Sequence, residues 1–441
     1  MKYISIFFGK LAAFLCSLIG RGSAFPGRVA QIIDKNILKK FELPKKVIVV
    51  TGSSGKGSTT SIIAHAYREL GYSVVHNKEG GNEESGTISV FLKNSTLSGK
   101  VKKDVVVLEM DERYIKYVVP VIKPSDIVIT NITRDQPPRQ RHTDFIISEI
   151  KKGINKEAHL YLNSNDPAVF KIINDLDNKV TFYGIDKQNN SYKQNKFTAL
   201  NTPRCPKCHS KLNYKFYHIE DLGEFICTNK KCNVKTPESK YNITSFKDNV
   251  ITINKKYSIM LNNDMLYNFY NTISAFTVLA DDNQDKEKIA EAISKLNKNK
   301  KIYNTYKVKN RNVYVLNNKC ENSSTYNQSM LYVSNDKDKK TIVLGWHEIS
   351  RRYLWDDVSW LYDIEFELFK KQDIDKIIVA GPQRYDLAVR LKYAGIDDKK
   401  VIIHKNLYEA KEDIDKSKGN IYAILNFDYI NDFNNVMEEL K

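Results

Sequence analysis

Short runs of β-branched and aliphatic residues, each ending on a polar cluster, recur through the first 200 residues and again beyond residue 310. In the first set, 47–50, 73–76, 104–108, 126–129 and 159–162 read as strands. Apolar positions between them fall at helical spacing, as at Ile62, Ile63, Ala66, Tyr67 and Leu70, closed by Gly71. Alternating strands and helices predict a doubly wound parallel sheet over residues 46–200. Several strands run into polar ends, Thr51 to Thr60, His76 to Glu79, Glu109 to Glu112 and Thr130-Asn131, which would line the carboxyl edge where such sheets bind ligands. The second set, 313–316, 341–344, 376–379, 401–403 and 421–425, predicts a smaller α/β, Rossmann-like unit over 301–441. Around Asn304 to Asn312 the chain is polar and reads as a link between units or an exposed hairpin.

One stretch organises the first unit. In VIVVTGSSGKGSTT a buried-type strand enters a glycine-punctuated turn that opens a helix. Turn amides and the unpaired N–H groups of a helix start attract phosphate, and a lysine adds positive charge. Gly52, Ser53, Ser54, Gly55, Lys56, Gly57, Ser58 and Thr59 are the candidate nucleotide-binding residues. The turn has two residues between its glycines where a Walker A loop has four, and Gly57 stands where a hydroxyl would follow the lysine. The alternative is a plain strand-to-helix turn.

Residues 201–240 break the rhythm. Cys205 and Cys208 form C-x2-C; after eighteen intervening residues Cys227 and Cys232 form C-x4-C, with two strand-like runs between. This is the form of a zinc ribbon held by four thiolates, structural because the coordination is closed. His209 reads as a bystander. In the run LYNFYNTISAFTVLA that follows, Asn268 and Asn271 share a helix face and offer donor and acceptor together, as an adenine edge requires; helix capping is the alternative.

The 441 residues exceed one core, and 41% hydrophobic content with 26 Tyr and 19 Phe excludes a disordered chain. A net charge of +17 favours anionic partners but is spread over every segment. Residues 1–45 form an apolar, then basic helical lead. Lys10 interrupts its apolar stretch, which is too short to span a bilayer and lacks a clear cleavage site. It reads as an amphipathic segment packing on the body or resting on a membrane. Six cysteines, four of them clustered, fit a reducing compartment. The expected location is cytoplasmic, peripheral to the inner membrane face.

In this order the segments resemble the Mur ligase superfamily, and within it the ligase-like subunits that amidate lipid II. TGSSGKGSTT stands in place of TGTNGKTTT. HNKEGGN is similar to HNxEGAN, LEMDE to ExDE, TNITRDQPPR to TNxxRDQxDR, and YLNSNDP to LNxDDP. NFYNTISAF resembles NxYNxLAAY, and DDVSWLYDIEFE resembles RDTSWIYDxDFE. The resemblance implies a central ATP-binding domain over 46–300 with the ribbon inserted at about 201–240, followed by a C-terminal α/β domain over 301–441. It implies ATP-dependent activation of the α-carboxylate of D-glutamate in the lipid II stem peptide. Ammonia would come from a class I, GatD-like glutaminase subunit in a heterodimer, giving D-isoglutamine.

By the same resemblance Lys56 neutralises the β- and γ-phosphates, and Glu109 holds Mg²⁺ with Ser58 or Thr59 supplying a hydroxyl. Asn271 reads adenine with Asn268 beside it, and Asp357 completes the partner's Cys–His pair. For Asp357 the alternative is a helix cap, and Asp356 leaves the register open by one. The chain departs from the family at Gly57, at Pro138, in GWHEIS, in Asn318-Lys319-Cys320 and in the second cysteine knuckle. Two further readings are a folylpolyglutamate-type amide ligase and a nucleic-acid binder. The second would stack bases on Tyr214, Phe216 and Tyr217 beside Lys211 and Lys215; scattered charge argues against it.

Overall fold

The computed structural model describes residues 1–18, 23–78, 81–133, 143–197, 203–299, 304–318, 322–347 and 357–441. Glu79, Pro138, Lys319, Cys320, Asp356 and the last three residues of GWHEIS lie outside the described residues. The chain divides into two compact units, one made of Met1–Ile132, Thr143–Lys193 and Pro203–Lys300, the other chiefly of Lys301–Lys441.

In the first unit β1 (Lys46–Thr51) is the central strand, because five of its six residues are apolar or small enough to be covered on both faces. Around it lie β2 (Val74–His76), β3 (Val105–Glu109), β4 (Asp126–Ile129), β5 (His159–Asn163) and β6 (Val180–Ile185). The ribbon hairpin is β7 (Leu212–Ile219) and β8 (Leu222–Cys227), and β9 (Tyr241–Lys247), β10 (Val250–Ile253) and β11 (Tyr257–Met260) follow. The order β11-β10-β9-β6-β5-β4-β1-β3-β2 makes nine strands. Those from β2 to β9 run parallel, and β10 and β11 return antiparallel. The strands expected over residues 46–200 are thus parallel as the sequence pattern predicts, and β10 and β11, beyond that stretch, add an antiparallel edge. The reversal has a plain cause: β9 to β11 are joined by tight turns at Asp248-Asn249 and Asn254-Lys255, all four in left-handed conformation, and such turns can only reverse a strand.

Because β3 and β4 flank β1 on opposite sides, the carboxyl end of β1 is a topological switch point, the place where open α/β sheets bind ligands. Helix Lys56–Glu69 leaves that end, and Gly71 closes its C-terminal turn at φ +92°. Residues 1–45 join this unit: helix Lys2–Leu18 packs on helix Phe25–Ile33, which packs on helix Glu84–Asn94.

The second unit has β12 (Asn304–Val308), β13 (Arg311–Asn318), β14 (Lys340–Gly345), β15 (Ile374–Ala380), β16 (Val401–His404) and β17 (Asn420–Asn426) in the order β12-β13-β17-β14-β15-β16. All neighbours are parallel except β12 and β13, so the polar stretch near Asn304 is a hairpin, turning at Lys309 with φ +54°. Val313, Val343, Ile378, Ala423 and Phe433 fill its core.

Candidate functional site

The loop after β1 is shaped by two glycines in left-handed backbone, Gly52 at φ +121° and Gly55 at φ +80°. A Cβ on Gly52 would sit 2.4 Å from Thr130 Oγ1, and one on Gly55 would sit 2.2 Å from Asn271 Oδ1. Both positions therefore demand glycine for conformation and for space. The polar end of β4 clamps the loop. Thr130 Oγ1 donates to Ser54 O (2.6 Å), Asn131 Nδ2 donates to Ser54 O (3.1 Å), and Ser54 N donates to Asn131 Oδ1 (3.0 Å). Ser53 N donates to Asn131 O (2.9 Å).

The first bond of the helix ladder runs from Thr59 N to Gly55 O (2.9 Å), so the amides before Thr59 belong to the helix start that favours anions. Of the hydroxyls behind the lysine, Thr59 Oγ1 donates to Asn271 Oδ1 (3.3 Å) and Thr60 Oγ1 to Lys56 O (2.7 Å). Ser58 is exposed. Asn268 is turned elsewhere, donating to Asn262 Oδ1 (3.2 Å). The structure thus brings Asn271 to the loop but places Asn268 against a separate polar cluster.

Lys56 is buried. Its Nζ donates to Gly52 O (2.5 Å) and to Glu112 Oε1 (2.7 Å), and the side chains are 6% and 1% exposed. Burial costs both charges their hydration, and their close contact offsets part of that cost. Glu112 is the neighbour that sequence reasoning left without a role; its signal was the third acid of the run Glu109-Met110-Asp111-Glu112. Glu109 itself is half-buried at the end of β3. Asn77, at the end of β2, holds its backbone through two reciprocal 2.8 Å bonds. A Cβ on Gly57 would lie 2.8 Å from Glu109 Oε2. The carboxylate therefore sits directly over the first helical turn. A half-buried carboxylate there and the exposed hydroxyl of Ser58 on the same turn are hard oxygen donors of the kind Mg²⁺ takes.

The four cysteines converge. Their sulfurs all lie within 4.8 Å of one another, with Cys205–Cys232 at 3.7 Å and Cys208–Cys227 at 3.5 Å. Tetrahedral Zn–S bonds of about 2.3 Å need sulfur separations near 3.8 Å, so the donor set fits zinc. Hydrogen bonds from Ser210 hold the Cys208 thiol down to about 6, and burial pushes Cys227 up to about 12. The hairpin packs on the turn after β5. Gly223 N donates to Asn165 O (3.0 Å), and Phe225 meets Phe170 edge-on. Tyr214 stacks on Tyr217 at 4.2 Å and Phe216 is buried, so these rings pack within the unit.

In the second unit Asp357 Oδ1 accepts from Ser359 N (2.9 Å), starting the 3-10 turn Ser359–Asp363. Val358 holds the N-cap position of that turn, so Asp357 bonds the turn from one residue before its cap. Trp360 anchors this turn, buried against Tyr326 and Trp346. Behind it the Arg390 guanidinium bonds Leu361 O, Ile364 O and both oxygens of Glu367. Arg390 escaped sequence reasoning, since nothing in RLKYAG marks it.

The model of the Mur ligase middle domain matches residues 50–234, and that of the MurT ligase C-terminal domain matches residues 320–429. The chain is 29% identical over 436 residues to the lipid II isoglutaminyl synthase (glutamine-hydrolyzing) subunit MurT of Staphylococcus aureus (strain COL), covering 97% of this chain and 95% of the relative. Among solved structures it resembles a pseudomurein peptide ligase type C from Methanothermus fervidus, with TM-score 0.68, 19% identity and coverage of 94% and 84%. It also resembles MurF ligase from Thermotoga maritima in complex with ADP, with TM-score 0.58, 15% identity and coverage of 94% and 82%.

Proposed function

The chain belongs to the Mur ligase superfamily, and we propose that it is the ligase-type subunit of a glutamine-hydrolysing enzyme that amidates lipid II. The observation that carries this reading is the end-to-end similarity to such a subunit, which takes in both units. In the reaction, a carboxylate oxygen of the D-glutamate α-carboxyl takes the γ-phosphoryl group of ATP, and ADP leaves. Ammonia then attacks the acyl carbon. Phosphate departs with that oxygen, a proton is lost, and D-isoglutamine remains.

The roles follow from charge and geometry. The amides of the loop and helix start, with Lys56, face the phosphates, where positive charge matters most in phosphoryl transfer. Glu112 keeps the ammonium at the loop. Mg²⁺ would be held by Glu109 and Ser58, and when bound it neutralises phosphate charge. Asn271, packed on Gly55, borders the nucleotide, and Asn268 supports that helix end. The cysteines hold zinc for structure, bracing the turn that follows β5. Asp357 faces the glutaminase partner, a class I, GatD-like subunit, and orients its catalytic imidazole as the third member of a triad does.

No described helix is long and apolar enough to cross a membrane. The reading places the chain in the cytoplasm, at the inner face where its substrate is anchored. The test is an amidation assay with lipid II, ATP, Mg²⁺ and either ammonium or glutamine with the partner. Asp357→Asn is expected to keep the ammonium-dependent reaction and lose the glutamine-dependent one. An unchanged glutamine reaction would leave Asp357 with its local bond to Ser359 alone, and no amide from ammonium would overturn the ligase reading.

A further inference from the structure

Helix Lys2–Leu18 is attached to the body chiefly by small residues, with Ile6 buried among them, and presents its other large apolar residues to solvent. Ser5, Gly9, Ala12 and Ala13 face inward. A Cβ on Gly9 would lie 2.7 Å from Leu92 Cδ1 and 3.1 Å from Ala30 Cβ, so the helix sits as close as a glycine permits. Ser5 Oγ donates to Ala30 O (2.7 Å). Lys10, the charge that interrupts the apolar sequence, is turned inward. Its Nζ donates to Leu92 O and Ser95 O at 2.5 Å each, capping the last carbonyls of helix Glu84–Asn94.

What remains outward is an uncharged stripe. Ile4, Phe7, Leu11, Phe14, Leu15 and Leu18 recur every three or four residues and are between 42% and 69% exposed. This inverts the ordinary amphipathic helix of a globular body, whose large apolar side chains face the core. The neighbouring helix Phe25–Ile33 continues the theme, with exposed Phe25, Arg28 and Ile32 on one face at spacings of three and four.

We propose that the outer face of helix Lys2–Leu18 docks on the headgroup–acyl boundary of an anionic phospholipid bilayer. At 17 residues the helix is suited to lie along a bilayer, not to cross it. Residues 1–45 carry eight Lys and Arg against two Asp and Glu. That charge attracts anionic headgroups and repels a second copy of the same segment, which makes lipid the better-matched occupant. The inference deepens the reading of a lipid-anchored substrate and rests on it for its purpose: docking would set the loop's unit beside the plane in which the stem peptide is held.

The experiment is co-sedimentation of the full chain with vesicles of phosphatidylcholine, alone or mixed with phosphatidylglycerol. Wild type is expected to pellet with the anionic vesicles and less with the neutral ones. Phe7→Ser/Phe14→Ser should weaken that partition by about ten-fold or more, since two large apolar rings would no longer leave water on docking. The variant's melting temperature and its ammonium-dependent amidation of detergent-solubilised substrate should stay at wild-type values. Wild type remaining in the supernatant, or a variant that pellets equally well, would overturn the proposal. A dimer or a glutaminase complex lost in the variant, without vesicle binding, would assign the face to protein and overturn it too. Vesicle binding without any amidation would instead sink the ligase reading and leave this inference standing, so the two fail separately.

Discussion

The carboxylate of Glu109 occupies the space that a side chain on Gly57 would enter, with Oε2 2.8 Å from the ideal Cβ position. The glycine that departs from the family's loop is therefore matched to this glutamate. Restoring a hydroxyl residue there, as Gly57→Thr, should lower amidation by roughly ten-fold or more, about 1.4 kcal/mol in the barrier, because Glu109 must shift. Shortening the acid in Gly57→Thr/Glu109→Asp should return part of the loss. Steady-state ADP release for the three proteins checks this; a more active Gly57→Thr would refute the steric account.

The Lys56–Glu112 pair predicts a non-additive stability pattern. Glu112→Met takes a buried counter-charge away from the Lys56 ammonium and should cost about 3–5 kcal/mol. Lys56→Met/Glu112→Met should cost less than that single change while abolishing ATP turnover. Urea unfolding of the single and double variants measures the coupling.

Zinc binding at the ribbon is tested by Cys227→Ser. Elemental analysis should find one zinc per wild-type chain and little in the variant. Its hairpin should become sensitive to limited proteolysis, because beyond the β7–β8 ladder only a small apolar cluster around the cysteines would be left to support it.

Much of this was legible in the sequence, and the reasons differ by element. The central strands declared themselves because burial on both faces demands unbroken apolar runs, as at Val47 to Val50. The cysteine spacing carried the ribbon for the same kind of reason, since chemistry fixes ligand distance. The strands β9 to β11 were hidden because their alternation is short and polar-rich, and their reversal depends on Asn and Asp turns that also occur in loops. The Glu112 and Arg390 contacts were hidden because they are made by partners distant in sequence. Asp357 marks the limit from the other side. Its bond from Ser359 N is visible, and a local bond of that sort says nothing for or against a second duty.

Burial of Asp221, with Glu220 and Asp166 nearby, pushes its carboxyl up to about 7. The folded state thus holds a proton that the unfolded state releases near 3.8. The associated stability is fully present below about 3.8 and is lost as pH rises through about 7. Among the described residues Asp221 Oδ1 has no hydrogen-bond partner, so Asp221→Asn removes the charge without removing a bond there. The variant should melt higher than wild type at pH 8, by about 2 °C or more, and nearly alike at pH 4. Calorimetry at the two pH values decides it.

The central claim is that the chain activates a carboxylate by phosphorylation and that ammonia displaces the phosphate. The most direct measurement uses lipid II labelled with ¹⁸O in the D-glutamate α-carboxyl, with ATP, Mg²⁺ and ammonium. The account predicts amide and ADP in equal amounts, with one labelled oxygen transferred to each inorganic phosphate released. Phosphate that carries no label, or no amide from ammonium or from glutamine with its partner, would contradict it.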